Sequence, residues 1–203
     1  MRKIFIFIIL LTYIFGNEKN MKENFESTKV GNIPFGWIMS GYNQKSFGIW
    51  EVIDGKYLKM KYPRGSYKNQ FNIFFTKDLY FKNGEVEVKI KTDQNFKNGG
   101  IIWRFRDKKN FYMALLKRDF LNIFVIKNSK SKNIFTKKID IKNYWNNIKV
   151  RYLNNKIEIF LNNKKLISIS DETLLIPGGV GLVTEADAKT IFDDIQIINF
   201  DKK

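Results

Sequence analysis

A chain of 203 residues, 44% hydrophobic and 16% aromatic, is long enough to bury a sizeable core as one domain and lies far from disordered, coiled-coil or collagen compositions. It has no Cys and no His, which excludes a disulfide framework, lipid anchoring through Cys, Ser-His-Asp or Cys-His catalysis and every His-ligated metal site. The formal charge of +16 comes almost wholly from Lys scattered singly along the chain, which argues against a nucleic-acid partner. That leaves compositional drift toward Lys, Asn, Ile and Phe, or attraction to anionic glycans and membrane surfaces.

Met1-Arg2-Lys3 leads into the apolar run Ile4 to Phe15, which stops at Gly16-Asn17. This pattern reads as a signal peptide over 1–16, so a secreted or periplasmic protein is expected. A membrane span needs about 20 apolar residues, so no stable membrane insertion is expected from this run. The alternative is a buried N-terminal strand. Residues 17–30 read as a flexible polar lead-in, and 31–200 as a single domain.

From Phe47 onward, short β-branched and aromatic runs of period two alternate with turn residues, the signature of an all-β sandwich. Asp54-Gly55 suits the positive dihedrals of a two-residue hairpin between Trp50–Ile53 and Tyr57–Met60. In 84–92, Val86, Val88 and Ile90 point one way, and Glu85, Glu87, Lys89 and Lys91 the other. Asp107 to Asn110 joins two further strands. Asn154-Asn155 and Asn162-Asn163 divide 144–169 into a three-stranded meander. The segment 171–176 allows at most a turn of helix before Pro177-Gly178-Gly179, and Gly178 to Gly181 reads as a turn and sheet entrance rather than a phosphate loop.

The order of residues from Gln70 to Ile197 carries a resemblance. Its elements are Phe71-Asn72-Ile73-Phe74-Phe75-Thr76-Lys77-Asp78, then 81–89, then Gly99-Gly100-Ile101-Ile102-Trp103-Arg104 followed by Asp107, Asn110, Phe111 and Tyr112. Trp145, Leu161-Asn162, Gly178 to Leu182, Ala186-Asp187, Thr190 and Phe192-Asp193-Asp194 complete it. The chain resembles a family of secreted bacterial domains, described as 3-keto-disaccharide hydrolase or of unknown function, in the concanavalin A-like lectin/glucanase superfamily. The resemblance implies a two-sheet antiparallel jelly-roll sandwich and a glycan ligand, but not a reaction. The chain departs from the family pattern at Asn98, where a third Gly is usual, at Asn146, where His is expected, and at Val183, where Trp is common. Lys117 to Asn122 replaces an Asn-Pro-Leu-Glu-Asn stretch. A Trp and a Glu are thereby removed from the sugar site that the resemblance implies.

Several residues are candidates for chemistry. Arg104 and Arg106 alternate with Trp103 and Phe105, placing two guanidinium forks on one sheet face beside Asp107 and Asn110, a candidate ligand-binding cluster. The competing reading is a hairpin whose Asp and Asn serve the backbone. Trp103, Trp145, Trp50 and Trp37 are candidates to stack on a sugar ring, with Tyr42, Tyr67 and Tyr112 read as weaker, exposed ones; the alternative is burial. Glu85 and Glu87 share a face, yet no Glu-x-Asp-x-Glu triplet supports a glycosidase pair. Asp193 breaks the alternation of the last strand, so either the strand bulges there or Asp193 faces inward and needs a partner: Ca²⁺ held with Asp194, backbone N–H groups or a Lys. The expectation is a carbohydrate-binding module with no required cofactor. A glycoside hydrolase and a non-catalytic interaction domain are the alternatives.

Overall fold

The computed structural model describes residues 20–64, 69–91, 98–141 and 144–201. The leader expected over 1–16 and the candidate Tyr67 lie outside the described residues. The described strands are β1 (Asn20–Glu23), β2 (Trp37–Tyr42), β3 (Ile49–Ile53), β4 (Tyr57–Tyr62), β5 (Phe71–Thr76), β6 (Gly84–Lys91), β7 (Asn98–Asp107) and β8 (Asn110–Lys117). They continue as β9 (Phe120–Lys127), β10 (Lys130–Lys138), β11 (Trp145–Leu153), β12 (Lys156–Leu161), β13 (Lys164–Ser170), β14 (Gly179–Glu185) and β15 (Ile191–Asn199). No α-helix occurs among the described residues. Two antiparallel sheets face each other as the sandwich that the alternation predicts and the jelly roll that the resemblance implies.

One sheet runs in the order β13, β12, β11, β6, β15, β4, β3, with β1 added beside β15. The other runs β10, β9, β8, β7, β14, β5, β2. Local chemistry sets the strand ends. Asp54 and Gly55 both take positive φ, 53° and 65°, in the turn between β3 and β4, and Asn162 and Asn163 do the same, at 49° and 66°, between β12 and β13. The last strand resolves its irregular pattern by bulging: Asp194 adopts φ 47° and the pairing with β6 slips between Asp193 and Gln196. Phe192, Ile195 and Ile197 therefore all reach the core despite their uneven spacing.

The main core lies between the sheets. Val86, Val88 and Ile90 of β6, Ile148 and Val150 of β11, and Leu58 and Met60 of β4 meet Ile101 and Trp103 of β7, Ala114 and Leu116 of β8, and Val180 and Leu182 of β14. Burial of such side chains contributes about 1.5–3 kcal/mol each before the entropy of ordering is counted.

The opposite face of the seven-stranded sheet is apolar as well. Phe71, Ile73, Ile102, Phe105, Phe111, Met113, Leu115, Ile126 and Val183 form a second buried cluster with Tyr42. Its rings connect: Phe75 to Phe105 at 4.5 Å, Phe105 to Phe111 at 5.4 Å, Phe111 to Tyr42 at 5.8 Å and Tyr42 to Phe71 at 5.9 Å between centroids. In a flat sheet, five inter-strand steps of about 4.8 Å would hold β2 roughly 24 Å from β9. Instead the Tyr42 hydroxyl on β2 donates to the Ser129 carbonyl in the β9–β10 turn at 3.0 Å. The sheet is thus curled until its two margins touch, and its concave face is filled by its own side chains.

Candidate functional site

The bridge between Tyr42 and Ser129 forms one wall of a pocket of about 610 Å³. Tyr42, Asn43, Gln44 and Lys45 line it from the β2–β3 connection, Gln70 from the start of β5, Lys108 and Lys109 from the β7–β8 turn, and Ser129 from the β9–β10 turn. The loop chemistry is specific. The Gln44 side-chain amide donates to the Phe71 carbonyl at 2.9 Å and to Asn72 Oδ1 at 3.1 Å, pinning the β2–β3 connection over β5. Asn43 holds φ 56°, a conformation that Asn tolerates, and its carbonyl accepts from Gln70 Nε2 at 3.1 Å. Burial raises the Tyr42 phenol above its usual range, so it stays a neutral donor at physiological pH.

The predicted ligand cluster divides around this pocket. Asp107 and Asn110 serve the hairpin: Asp107 Oδ1 accepts from the Lys109 N–H at 2.6 Å and from Asn110 Nδ2 at 3.1 Å. Asn110 Oδ1 accepts from the Asn128 N–H at 3.1 Å, tying the β7–β8 turn to the β9–β10 turn. Together they position Lys108, Lys109 and Ser129. Arg106 is exposed, 3.4 Å from the Pro177 carbonyl.

Arg104 does not share the face of Arg106. Its φ of 49° and the irregular pairing of β7 with β8 after Trp103 turn it into the interior, where it is fully buried. Nε donates to the Lys82 carbonyl at 3.0 Å, Nη1 to Leu174 at 2.9 Å and Nη2 to Asn154 at 2.5 Å. Burial lowers its pKa from the usual value, and the Tyr152 ring lies 5.3 Å beneath the guanidinium carbon. Trp103 is equally buried, stacked on Tyr112 at 5.3 Å. The Tyr112 hydroxyl donates to Asp171 Oδ1 at 2.5 Å and accepts from the Leu174 N–H at 3.0 Å. Burial, then this bond, raise the Tyr112 phenol far above the ordinary range. These three side chains bolt the end of the sandwich together and are out of reach of a surface ligand.

Trp37 and Trp50 are also core residues, packed on Phe74 at 4.8 and 5.4 Å. Trp145 is half-buried on the outer face of the other sheet, 5.3 Å from Tyr57. Glu85 and Glu87 sit on that face in an ion-pair network: Lys149 reaches Glu85 at 3.2 Å and Glu87 at 2.7 Å, and Arg151 reaches Glu85 at 2.7 Å. Carboxylates so neutralised are poorly placed as an acid and nucleophile pair.

The Asp193 and Asp194 pair does not fit a calcium ion. Asp194 is already paired with the Lys89 ammonium at 2.5 Å, and Asp193 Oδ1 accepts from the Asp194 N–H at 2.8 Å. Among the described residues no group of three or more His, Cys, Asp or Glu gathers that could hold a metal.

The sequence from residue 17 to 198 matches the family described as the 3-keto-alpha-glucoside-1,2-lyase-like domain. The chain belongs to that family. No curated protein matches it in sequence. Among solved structures it is similar to the carbohydrate-binding module CBM66 from Bacillus subtilis, with a TM-score of 0.63 at 20% identity over 79% of this chain and 94% of that one. It is also similar to the exoplasmic/lumenal domain of VIP36 in its Ca²⁺/Man-bound form, with a TM-score of 0.65 at 14% identity over 93% and 92%. The Bacillus licheniformis beta-glucanase gives a TM-score of 0.63 at 12% identity over 91% and 100%. These likenesses establish the concanavalin A-like fold. Val183, at a position where Trp is common, is one of the side chains filling the concave face, and Asn146 is buried, its Oδ1 accepting from Asn162 Nδ2 at 3.1 Å.

Proposed function

We propose that this member of the 3-keto-alpha-glucoside-1,2-lyase-like family is an exported carbohydrate-binding module, with a leader over 1–16 and one domain over 31–200, that takes its ligand in the corner pocket around Tyr42. The observation that carries the reading is the lining. Asn43, Gln44, Gln70, Tyr42, Ser129 and three lysines line about 610 Å³, a volume within the usual span of small-ligand sites. Hydroxyl-rich ligands need such convergent donors and acceptors, and the partly buried Tyr42 ring offers an apolar edge beside them. Asp107 and Asn110 hold the turn that carries Lys108 and Lys109 to this pocket. The carbohydrate-binding module and the mannose-bound lectin domain among the structural neighbours support the same class of ligand.

Cleavage of a glycoside is the second reading, favoured by the lyase-like description of the family. Among the described residues lining the pocket none is a carboxylate, so acid–base chemistry there has no evident carrier.

A glycan-binding screen on the chain lacking residues 1–16 tests the proposal. It is run with and without Ca²⁺, because the VIP36 domain is solved with Ca²⁺ and mannose. Binding that weakens about tenfold or more in Gln70→Ala and Lys109→Ala supports it. Failure on every sugar class, or binding indifferent to both variants, refutes it, and product released from an intact glycan replaces binding with cleavage.

A further inference from the structure

We infer that the ligand of the Tyr42 pocket is an acidic saccharide, a ring bearing a carboxylate or a sulfate. The inference rests on the carbohydrate reading above and narrows it.

Among the described residues six lysines are held in ion pairs. Lys61 meets Glu51, Lys89 meets Asp194, Lys117 meets Glu185, Lys149 meets Glu85 and Glu87, and Lys156 and Lys165 both meet Glu158. Lys45, Lys108 and Lys109 are not among these six, and what sets them apart is that they meet at one pocket. All three are exposed, all three line the pocket, and among the described residues none has a carboxylate oxygen within ion-pair distance. They also arrive from two separate connections, β2 to β3 and β7 to β8, so no single charged loop accounts for their meeting.

Asp107 is the nearby acid, and its Oδ1 is engaged by the Lys109 main chain while both its oxygens face the Asn110 amide, at 3.1 and 3.2 Å. The pocket therefore keeps an excess of positive charge. An anion placed in this pocket is attracted by lysines from both connections. Asn43, Gln44 and Gln70 supply the neutral polar surface that hydroxyls need. An acidic saccharide matches a lining that combines three amide-bearing side chains with three lysines.

The net charge of +16 attracts any anion to some degree, so the experiment separates local from global charge. Oligogalacturonate, a sulfated galactan oligosaccharide and a neutral galactan oligosaccharide are titrated calorimetrically at about 0.15 M salt. Three proteins are compared: wild type, Lys45→Gln/Lys108→Gln/Lys109→Gln, and a control with the same charge change on the strand margins, Lys130→Gln/Lys132→Gln/Lys164→Gln. Thermal melts confirm that all three are folded.

The expected result is that at least one acidic probe binds wild type about tenfold more tightly than the neutral one. The pocket variant loses that advantage, and the control retains it within about threefold. Preference for the uronate identifies a carboxylate, and preference for the sulfated probe a sulfate. Equal loss in both variants reduces the effect to net charge and overturns the inference. So does equal affinity for the neutral probe; if that binding still falls in Gln70→Ala, the carbohydrate reading survives alone. No binding of any of the three probes by wild type overturns the inference, and the broader glycan screen then decides the parent reading.

Discussion

Arg104→Met should unfold this protein more readily without touching its ligand site. The guanidinium makes three main-chain bonds, to the carbonyls of Lys82, Leu174 and Asn154. Hydrogen bonds to a charged group contribute about 1.5–3 kcal/mol each, and against them stands the several kcal/mol cost of desolvating the cation. Methionine fills part of the channel but serves none of the carbonyls, and the Leu174 carbonyl is the most deeply buried of the three bonds. The net loss is about 3–5 kcal/mol, the usual result of removing one side of a buried charged network. At about 2–4 °C per kcal/mol for a chain of this size, Tm falls by roughly 6–20 °C. Arg104→Lys, which keeps the charge but not the planar fork, should lose about half as much. Calorimetric melts with a parallel glycan titration provide the measurement. A variant that melts within about 2 °C of wild type, or one that melts normally yet no longer binds sugar, refutes the structural role given to this arginine.

Asp171→Asn carries a pH signature. Burial alone would raise the Asp171 carboxyl, but the bonds from Tyr112 and Thr173 outweigh it and hold the carboxyl below its usual 3.8. A carboxyl depressed by folding stabilises above its unfolded pKa, and that stability is lost as pH falls through the lower folded value. The variant should cost about 1–3 kcal/mol at neutral pH, a gap that closes toward pH 3 in Tm against pH profiles; a gap that stays constant contradicts the assignment. Gly100→Ala places a Cβ on the Ala114 carbonyl of β8, and the strand must shift to admit it. A loss of about 1–3 kcal/mol in denaturant titration is expected; an unchanged midpoint contradicts the packing. Glu87→Gln, in a network with Lys149 and Asn147 on a partly exposed face, should change stability by about 1 kcal/mol or less and leave any glycan binding or turnover intact. Loss of turnover in that variant would reinstate Glu87 as a catalytic group.

The sandwich was legible because its signals are local. Val86, Val88 and Ile90 alternate with charged neighbours over one strand, and Asp54-Gly55 and Asn162-Asn163 fix their turns within two residues. Arg104 was not, because the face it occupies depends on one positive φ that breaks the period in β7, and nothing in Trp-Arg-Phe-Arg announces it. The candidate pocket was legible only in part. Asp107 and Asn110 mark the right hairpin, yet they act on its backbone, and the lysines between them face the cavity. Tyr42, read as exposed, is 6% exposed, and Gln44, Gln70 and Ser129 carry no motif at all. They meet because a seven-stranded sheet curls through its full width, a long-range event that no window of sequence contains.

The same curl sets the order in which the chain can safely fold. Strands β7 to β10 form a continuous meander joined by short turns, whereas β14, β5 and β2, which complete the sheet, come from both ends of the chain. Until they dock, β8 presents Phe111, Met113 and Leu115 uncovered on one side, while Tyr112, Ala114 and Leu116 on the other wait for the second sheet. A half-assembled meander is therefore a sticky intermediate, with two water-averse surfaces and an open edge at β7. Closure of Tyr42 onto Ser129, across 87 residues of sequence, covers the concave one of these surfaces, so a variant that lacks it, Tyr42→Phe, should refold in lower yield as protein concentration rises.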